Sequence, residues 1–206
     1  MIVFADNDIL IKLAGCDLLI PFCEALQIQE DNFFVTPSAK FAIPKQSRKK
    51  LSDPQSLQQL NEFLGRTSTI QEAIPQAELL DELINTPNID GGEAQLILSV
   101  HNQPTSKLAT GDKRCLASLL NTQSLSEIAN SLTGRVYTLE LAMLILIDKL
   151  GFEAVNQKVI QRCVEDGTLN LAFGEQRAVD HAIECLSSYC SELKLLLAEP
   201  HLLKSI

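Results

Sequence analysis

The chain has 206 residues, 46% of them hydrophobic, which is enough to build a substantial core and excludes a disordered polymer. Its formal net charge is −9, with 26 acidic against 17 basic residues, which excludes a general nucleic-acid binder that relies on Lys and Arg over its whole surface. The longest apolar stretch, about residues 139–147, is interrupted by Glu140 and closed by Asp148 and Lys149, too short and too charged to span a bilayer; Asp6 and Asp8 likewise argue against a signal peptide at the amino end.

Ile2 to Ala5 reads as a buried parallel strand, and Ile9 to Leu13 and Leu18 to Ile28 as helices with apolar residues three and four apart. Phe33 to Val35 is a second strand. Thr36-Pro37 then resembles a helix cap with Pro in the first turn, and Pro44 is expected to break or end that helix. Ser52-Asp53-Pro54 starts a helix to about Leu64, Thr67 to Ile70 is a short strand, and Ala77 to Ile84 is helical. Asp90 caps a helix whose apolar face carries Leu96, Ile97 and Val100. Lys107 to Thr110 is a strand, and Asp112 opens the helix after it. Arg135 to Tyr137 is the last strand, and Thr138 caps a helix from Leu139 to Leu150 that Gly151 closes. From Phe152 to Ile206 the pattern is helical, broken around Gly167 to Gly174.

Strands alternating with helices imply a three-layer α/β/α architecture around a central parallel sheet of about four to five strands. Residues 1–150 form the α/β domain, with an insertion at about 41–88 holding two or three helices, and residues 151–206 a helical extension packed on it. The leucines of that extension, among them Leu193, Leu195, Leu196 and Leu197, read as packing on their own core in preference to a homodimer or partner surface.

The six cysteines, Cys16, Cys23, Cys115, Cys163, Cys185 and Cys190, include no C-x-x-C pair and read as reduced, mostly buried thiols of a cytoplasmic protein. His101, His181 and His201 are scattered without metal-ligand spacing. Basic residues are clustered: Lys40, Lys45, Arg48, Lys49 and Lys50 fall within eleven positions with no acid among them, leaving 12 basic residues against 26 acids elsewhere. That segment reads either as a solvated, mobile loop or as an arm that contacts phosphates.

Acids sit at three strand–helix or loop–helix junctions. Asp6 ends the first apolar run, with Asp8 two residues on; Asp112 ends the run Leu108-Ala109-Thr110-Gly111; and Glu93 lies in a first helical turn. The carboxyl end of a parallel strand is where open α/β sheets place their ligands. Carboxylates converging there form a hard-oxygen site for Mg²⁺ or Mn²⁺, able to activate water and to neutralise a phosphodiester in transition. Each acid also has a structural reading as a helix cap, Asp90 with Glu93 forming a capping box.

Asp6-Asn7-Asp8-Ile9-Leu10, Gly92-Glu93-Ala94 and Leu108 to Arg114 resemble the acidic motifs of PIN-domain proteins, and Gly134 to Leu139 is similar to the segment after the last acid in some prokaryotic members. The resemblance covers roughly residues 1–165 discontinuously. It implies an α/β/α nuclease fold and an Mg²⁺- or Mn²⁺-dependent ribonuclease, a toxin of a toxin–antitoxin pair in many relatives. By position Asp6 would be the first acid, Glu93 the third and Asp112 the fourth. The family's second acid is missing: its helix here reads Pro37 to Ile43, with Lys40 and Phe41 where a Glu is expected. Either Asp8 substitutes in part as a metal ligand, or the Lys40 ammonium takes the metal's place and hydrolysis is lost.

Three functions follow. The first is a ribonuclease with Asp6, Glu93 and Asp112 as catalytic and metal-holding residues, and with Lys40, Lys45, Arg48, Lys49, Lys50, Lys113 and Arg114 against RNA. The second is a degraded module that binds nucleic acid or a protein partner such as an antitoxin. The third, ranked last, is a phosphatase of the haloacid-dehalogenase type, suggested by Asp6-x-Asp8 and Gly111-Asp112.

Overall fold

The computed structural model describes residues 1–51, 53–70, 76–162 and 166–204. Two sequence expectations, on Ser52 and Cys163, lie outside them.

The first strand, β1 (Val3–Ala5), is wholly buried and stops at Asp6, whose extended backbone begins α1 (Asn7–Gly15). A shorter helix than expected follows, α2 (Leu19–Ala25), and then β2 (Phe33–Val35). The next helix, α3 (Ala39–Lys50), departs from expectation at both ends. It begins after Pro37, with Thr36 Oγ1 3.1 Å from Ser38 Oγ, and it runs straight through Pro44. A proline in the second turn removes one backbone donor. Packing outweighs that loss, because Ala39, Ile43 and Ser47 are buried along one face of the helix. The basic segment is therefore helical, not a loop.

After α3 come α4 (Pro54–Arg66), capped by Asp53, the short β3 (Ser68–Thr69) and α5 (Ala77–Asn85). The helix α6 (Gly91–Asn102) carries the expected capping box. Next are β4 (Lys107–Thr110), α7 (Lys113–Asn121), α8 (Ser126–Ser131) and β5 (Val136–Thr138). From α9 (Leu139–Leu150) onward the chain is mostly helical: α10 (Phe152–Arg162), α11 (Gly167–Ala172) and α12 (Val179–Cys190). Gly151 takes φ 85°, a left-handed backbone that suits glycine and ends α9.

All five strands are parallel, in the order β3-β2-β1-β4-β5. The fold is three-layer α/β/α. Parallel crossovers are right-handed, so connections running outward from β1 to β3 and those running from β3 across to β5 cover opposite faces. Accordingly α1 packs on α2, α3 and α4, and α2 on α9, whereas α6 packs on α5 and α8 and against β1 and β4. Aromatic pairs tie the core: Phe4 with Phe34 at 5.6 Å, Phe33 with Phe63 at 5.5 Å, and Phe22 edge-on to Tyr137 at 5.9 Å.

The carboxyl-terminal extension is not purely helical. Leu197 bridges Val136 in parallel, and the Arg135 and Val136 amides both donate to the Leu196 carbonyl at 2.8 Å, so the tail extends the β5 edge of the sheet. Leu193, Leu196 and Leu197 are buried there, while Leu195 is exposed. Ion pairs Lys158–Asp17 and Arg162–Asp53 clasp α10 to the α/β body.

Candidate functional site

The chain leaves β1 in one direction and crosses β4 on its return in the other, so β1 and β4 flank the switch point of the sheet. A crevice necessarily opens there, outside the carboxyl ends of the strands. Asp6 follows β1 and Asp112 follows β4 by one glycine. The Asp6 amide donates to the Ala109 carbonyl at 2.9 Å, pinning the first acid beside the strand that delivers the other. The amino end of α6 brings Glu93 and Asp90 to the same place. Asp6, Asp8, Asp90, Glu93 and Asp112 all line one cleft of about 620 Å³, together with Lys12, Gln46 and Arg114.

Each candidate acid also closes a helix. Asp6 accepts from the amides of Asn7 (2.6 Å) and Asp8 (3.3 Å). Glu93 Oε2 accepts from the Asp90 amide at 2.8 Å, and Asp90 Oδ1 from the Glu93 amide at 2.8 Å. Asp112 Oδ1 accepts from Arg114 (2.8 Å) and Cys115 (3.2 Å), and its Oδ2 meets the Arg114 guanidinium at 3.2 Å. Three helix amino ends thus point at one cleft, each with an acid at its tip. In these rotamers, among the described residues, no three carboxylates gather tightly enough to share a single ion.

Electrostatics nonetheless couple them. Burial lifts Asp6 to about 6, against the help of the Asn7 amide, and the charges of Asp8 and Asp90 add to the rise. Burial lifts Glu93 to about 7, with Asp90, Asp112 and Asp6 pushing the same way. Asp112 behaves oppositely. Burial raises it, but the Arg114 guanidinium and the Cys115 and Arg114 amides outweigh this and hold it below the ordinary carboxylate range. A cleft that keeps two acids reluctant to ionise favours an added cation.

Known family models, curated proteins and solved structures yield no match to this chain.

The basic candidates divide. Lys40 does not stand among the acids; its ammonium donates to the Thr67 carbonyl at 2.8 Å, tying α3 to the end of α4. Lys113 also lines the cleft, but its ammonium is paired with the buried Glu140 of α9 and lies 4.6 Å from the centre of the Tyr189 ring. Arg114 stands at the rim with 80% of its side chain exposed. Lys50 reaches Asp8 at 3.0 Å. Lys45, Arg48 and Lys49 lie on the exposed side of α3.

Sequence reasoning missed the ammonium that does enter the cleft. Lys12 bridges Asp8 at 2.6 Å and Asp166 at 2.7 Å, and only 18% of its side chain is exposed. Its four-residue spacing from Asp8 was the signal available. Asp166, the cap of α11, comes from the far extension and had no signal. Gln46 was hidden because Pro44 was expected to end its helix. Asp8, held by two lysines, is a charged neighbour of the three caps and not a free ligand. Gly111 is needed at its position: a Cβ there would stand 2.6 Å from Asp8 Oδ2.

The histidines do other work. His101 Nδ1 meets Ser131 Oγ at 2.9 Å, and His181 Nε2 the Leu171 carbonyl at 3.1 Å, both away from the cleft. Among the described residues Cys16, Cys23, Cys115 and Cys190 are buried free thiols, and Cys185 is half-buried. No described helix is long and apolar enough to cross a membrane.

Proposed function

We propose that this protein is a Mg²⁺- or Mn²⁺-dependent ribonuclease acting at the switch-point cleft. The observation that carries the reading is the meeting of Asp6, Glu93 and Asp112 on one cleft from three separate helix tips, with Asp6 and Glu93 lifted toward neutrality by burial and by neighbouring acids. Their donor set is hard oxygen only, which suits these ions. Asp6, Glu93 and Asp112 would hold the ion, with Asp8 beside them. When bound, such an ion supplies charge neutralisation and a water of lowered pKa. The chain's own residues do the rest. Arg114 at the rim meets a phosphate while its neighbour Asp112 stays ionised. Lys12, tied to Asp8 and Asp166, fixes the direction in which Asp8 points. The resemblance of these motifs to PIN-domain proteins favours RNA as the substrate and adds an antitoxin-like partner; the buried free thiols fit a cytoplasmic setting.

A second reading has its own support. All three acids are satisfied as caps, and Asp8 is neutralised by two lysines, as in a binding module that has lost hydrolysis.

Amide variants separate the two. Asn at a cap position and Gln in a capping box retain the hydrogen bond but not the charge. Asp112→Asn is expected to lower Mn²⁺-dependent RNA cleavage at least a hundredfold while lowering the melting temperature only slightly, through the lost ion pair with the largely exposed Arg114. Cleavage that persists in repurified Asp112→Asn protein overturns the nuclease reading, and so does an absence of Mn²⁺ binding by titration calorimetry at pH 8.

A further inference from the structure

Helix α3 carries five of the 17 basic residues of an acidic protein and sets an aromatic ring near its amino end. Phe41 is 84% exposed, the most exposed large hydrophobic side chain among the described residues. Its helix is well packed on the other side, where Ala39 and Ile43 are fully buried, so the exposure is not that of a loose segment. Phe41, Lys45 and Lys49 recur every fourth residue and share one face. With Ser38, Ala42 and Gln46 they line a groove of about 520 Å³. Among the described residues, the α3 cation paired to an acid is Lys50, through Asp8. No carboxylate occurs in the sequence between Asn32 and Ser52 to quench Lys45, Arg48 and Lys49. Gln46 borders both this groove and the acidic cleft, so the two are neighbours.

We propose that this face binds unpaired nucleotides, with a base stacked on Phe41 and the phosphates on one side of it on Lys45 and Lys49. The chemistry selects the ligand. An exposed flat ring attracts the π-face of a base, and two cations about 6 Å apart along the helix, both on the carboxyl side of the ring, match successive phosphates of the strand leaving that base. A duplex keeps its bases stacked inside and offers phosphates only, so it gains nothing from Phe41. The carboxylates of an acidic peptide would use the lysines but bring no planar ring of their own to lay on Phe41, whereas every nucleotide carries both groups. The delivery of the bound strand past Gln46 to the acidic cleft rests on the nuclease reading; the binding does not.

The test is fluorescence anisotropy on the full chain carrying Asp112→Asn, with a short labelled single-stranded RNA, the same sequence as DNA, and its duplex. The single strands are expected to bind at least about tenfold more tightly than the duplex. Phe41→Ala should weaken single-strand binding about tenfold, and Phe41→Trp should retain it. Replacing Lys45 and Lys49 together by Ala should reduce the salt slope for single strands by about 1.4. All three positions are exposed, so the variants should melt like the parent. Equal binding of duplex and single strand, full binding by Phe41→Ala, or no binding at low salt overturns the proposal. So does a Phe41→Ala effect confined to self-association or to binding of an acidic peptide. Intact single-strand binding by a wild-type chain that cleaves nothing would remove the nuclease reading and leave this one standing.

Discussion

Asp6 shows how one side chain can be both a structural cap and a source of instability. Burial raises its pKa from 3.8 to about 6, so between those values the folded chain holds a proton that the unfolded chain has released. Its contribution to stability therefore falls as pH rises from about 4 to about 6 and stays low above. Asp6→Asn keeps the cap and removes the charge. It is expected to raise stability by about 2 kcal/mol at pH 8 and by almost nothing near pH 3.5, read from urea melts at the two values. Binding of Mn²⁺ runs the other way. It needs ionised carboxylates, so calorimetry should show affinity climbing as pH passes through about 6 and about 7, where Asp6 and Glu93 lose their protons, and then levelling. Gly111 gives a residue-scale test of the cleft's shape. A methyl at this position must displace the Asp8 carboxylate from Lys12 and Lys50. Gly111→Ala should cut cleavage about tenfold while costing about 1 kcal/mol of stability or less, because only the end of a side chain has to move.

At the scale of elements, the helices succeed by combining local rules with packing that can override them. In α3 the override is visible: Pro44 contributes no amide, yet Ile43 and Ser47 on the buried face hold the helix through it. Pro44→Ala restores the donor and should stabilise the chain by about 1–3 kcal/mol in chemical denaturation. Between α7 and α9 the sequence is less forgiving. Glu140 is 3% exposed, and its charge is balanced by Lys113. Lys113→Met leaves that carboxylate buried and alone, and should cost about 3–5 kcal/mol; adding Glu140→Leu should recover most of the loss. These elements also show what was legible. The caps Asp53, Asp90, Asp112 and Thr138 sit where the sequence placed them, because a cap is a bond between residues two or three apart. The start of α3 and its passage through Pro44 were not, because they depend on what the helix packs against.

For the whole molecule, the extension completes the α/β body. Helix α9 is buried along almost its full length and packs on α2, α10 and α12, and the tail adds to the β5 edge. Lys12–Asp166 carries the extension as far as the cleft. Truncation after Cys190 uncovers the edge of β5 and removes the fully buried Leu196 and Leu197, so the shortened chain is expected to aggregate or to lose its cooperative melt. What the sequence by itself determined was local: five strands from short apolar runs, the helices between them, and acids at the tips of three helices, because periodicity and capping involve residues only a few positions apart. Tertiary structure alone decided the order of the sheet, which sets Asp6 beside Asp112, and the partners of the lysines. Lys40 goes to Thr67, Lys113 to Glu140 and Lys12 to Asp166. Those pairings join residues far apart in the chain, and a long flexible ammonium takes whichever oxygen the completed packing brings within its reach.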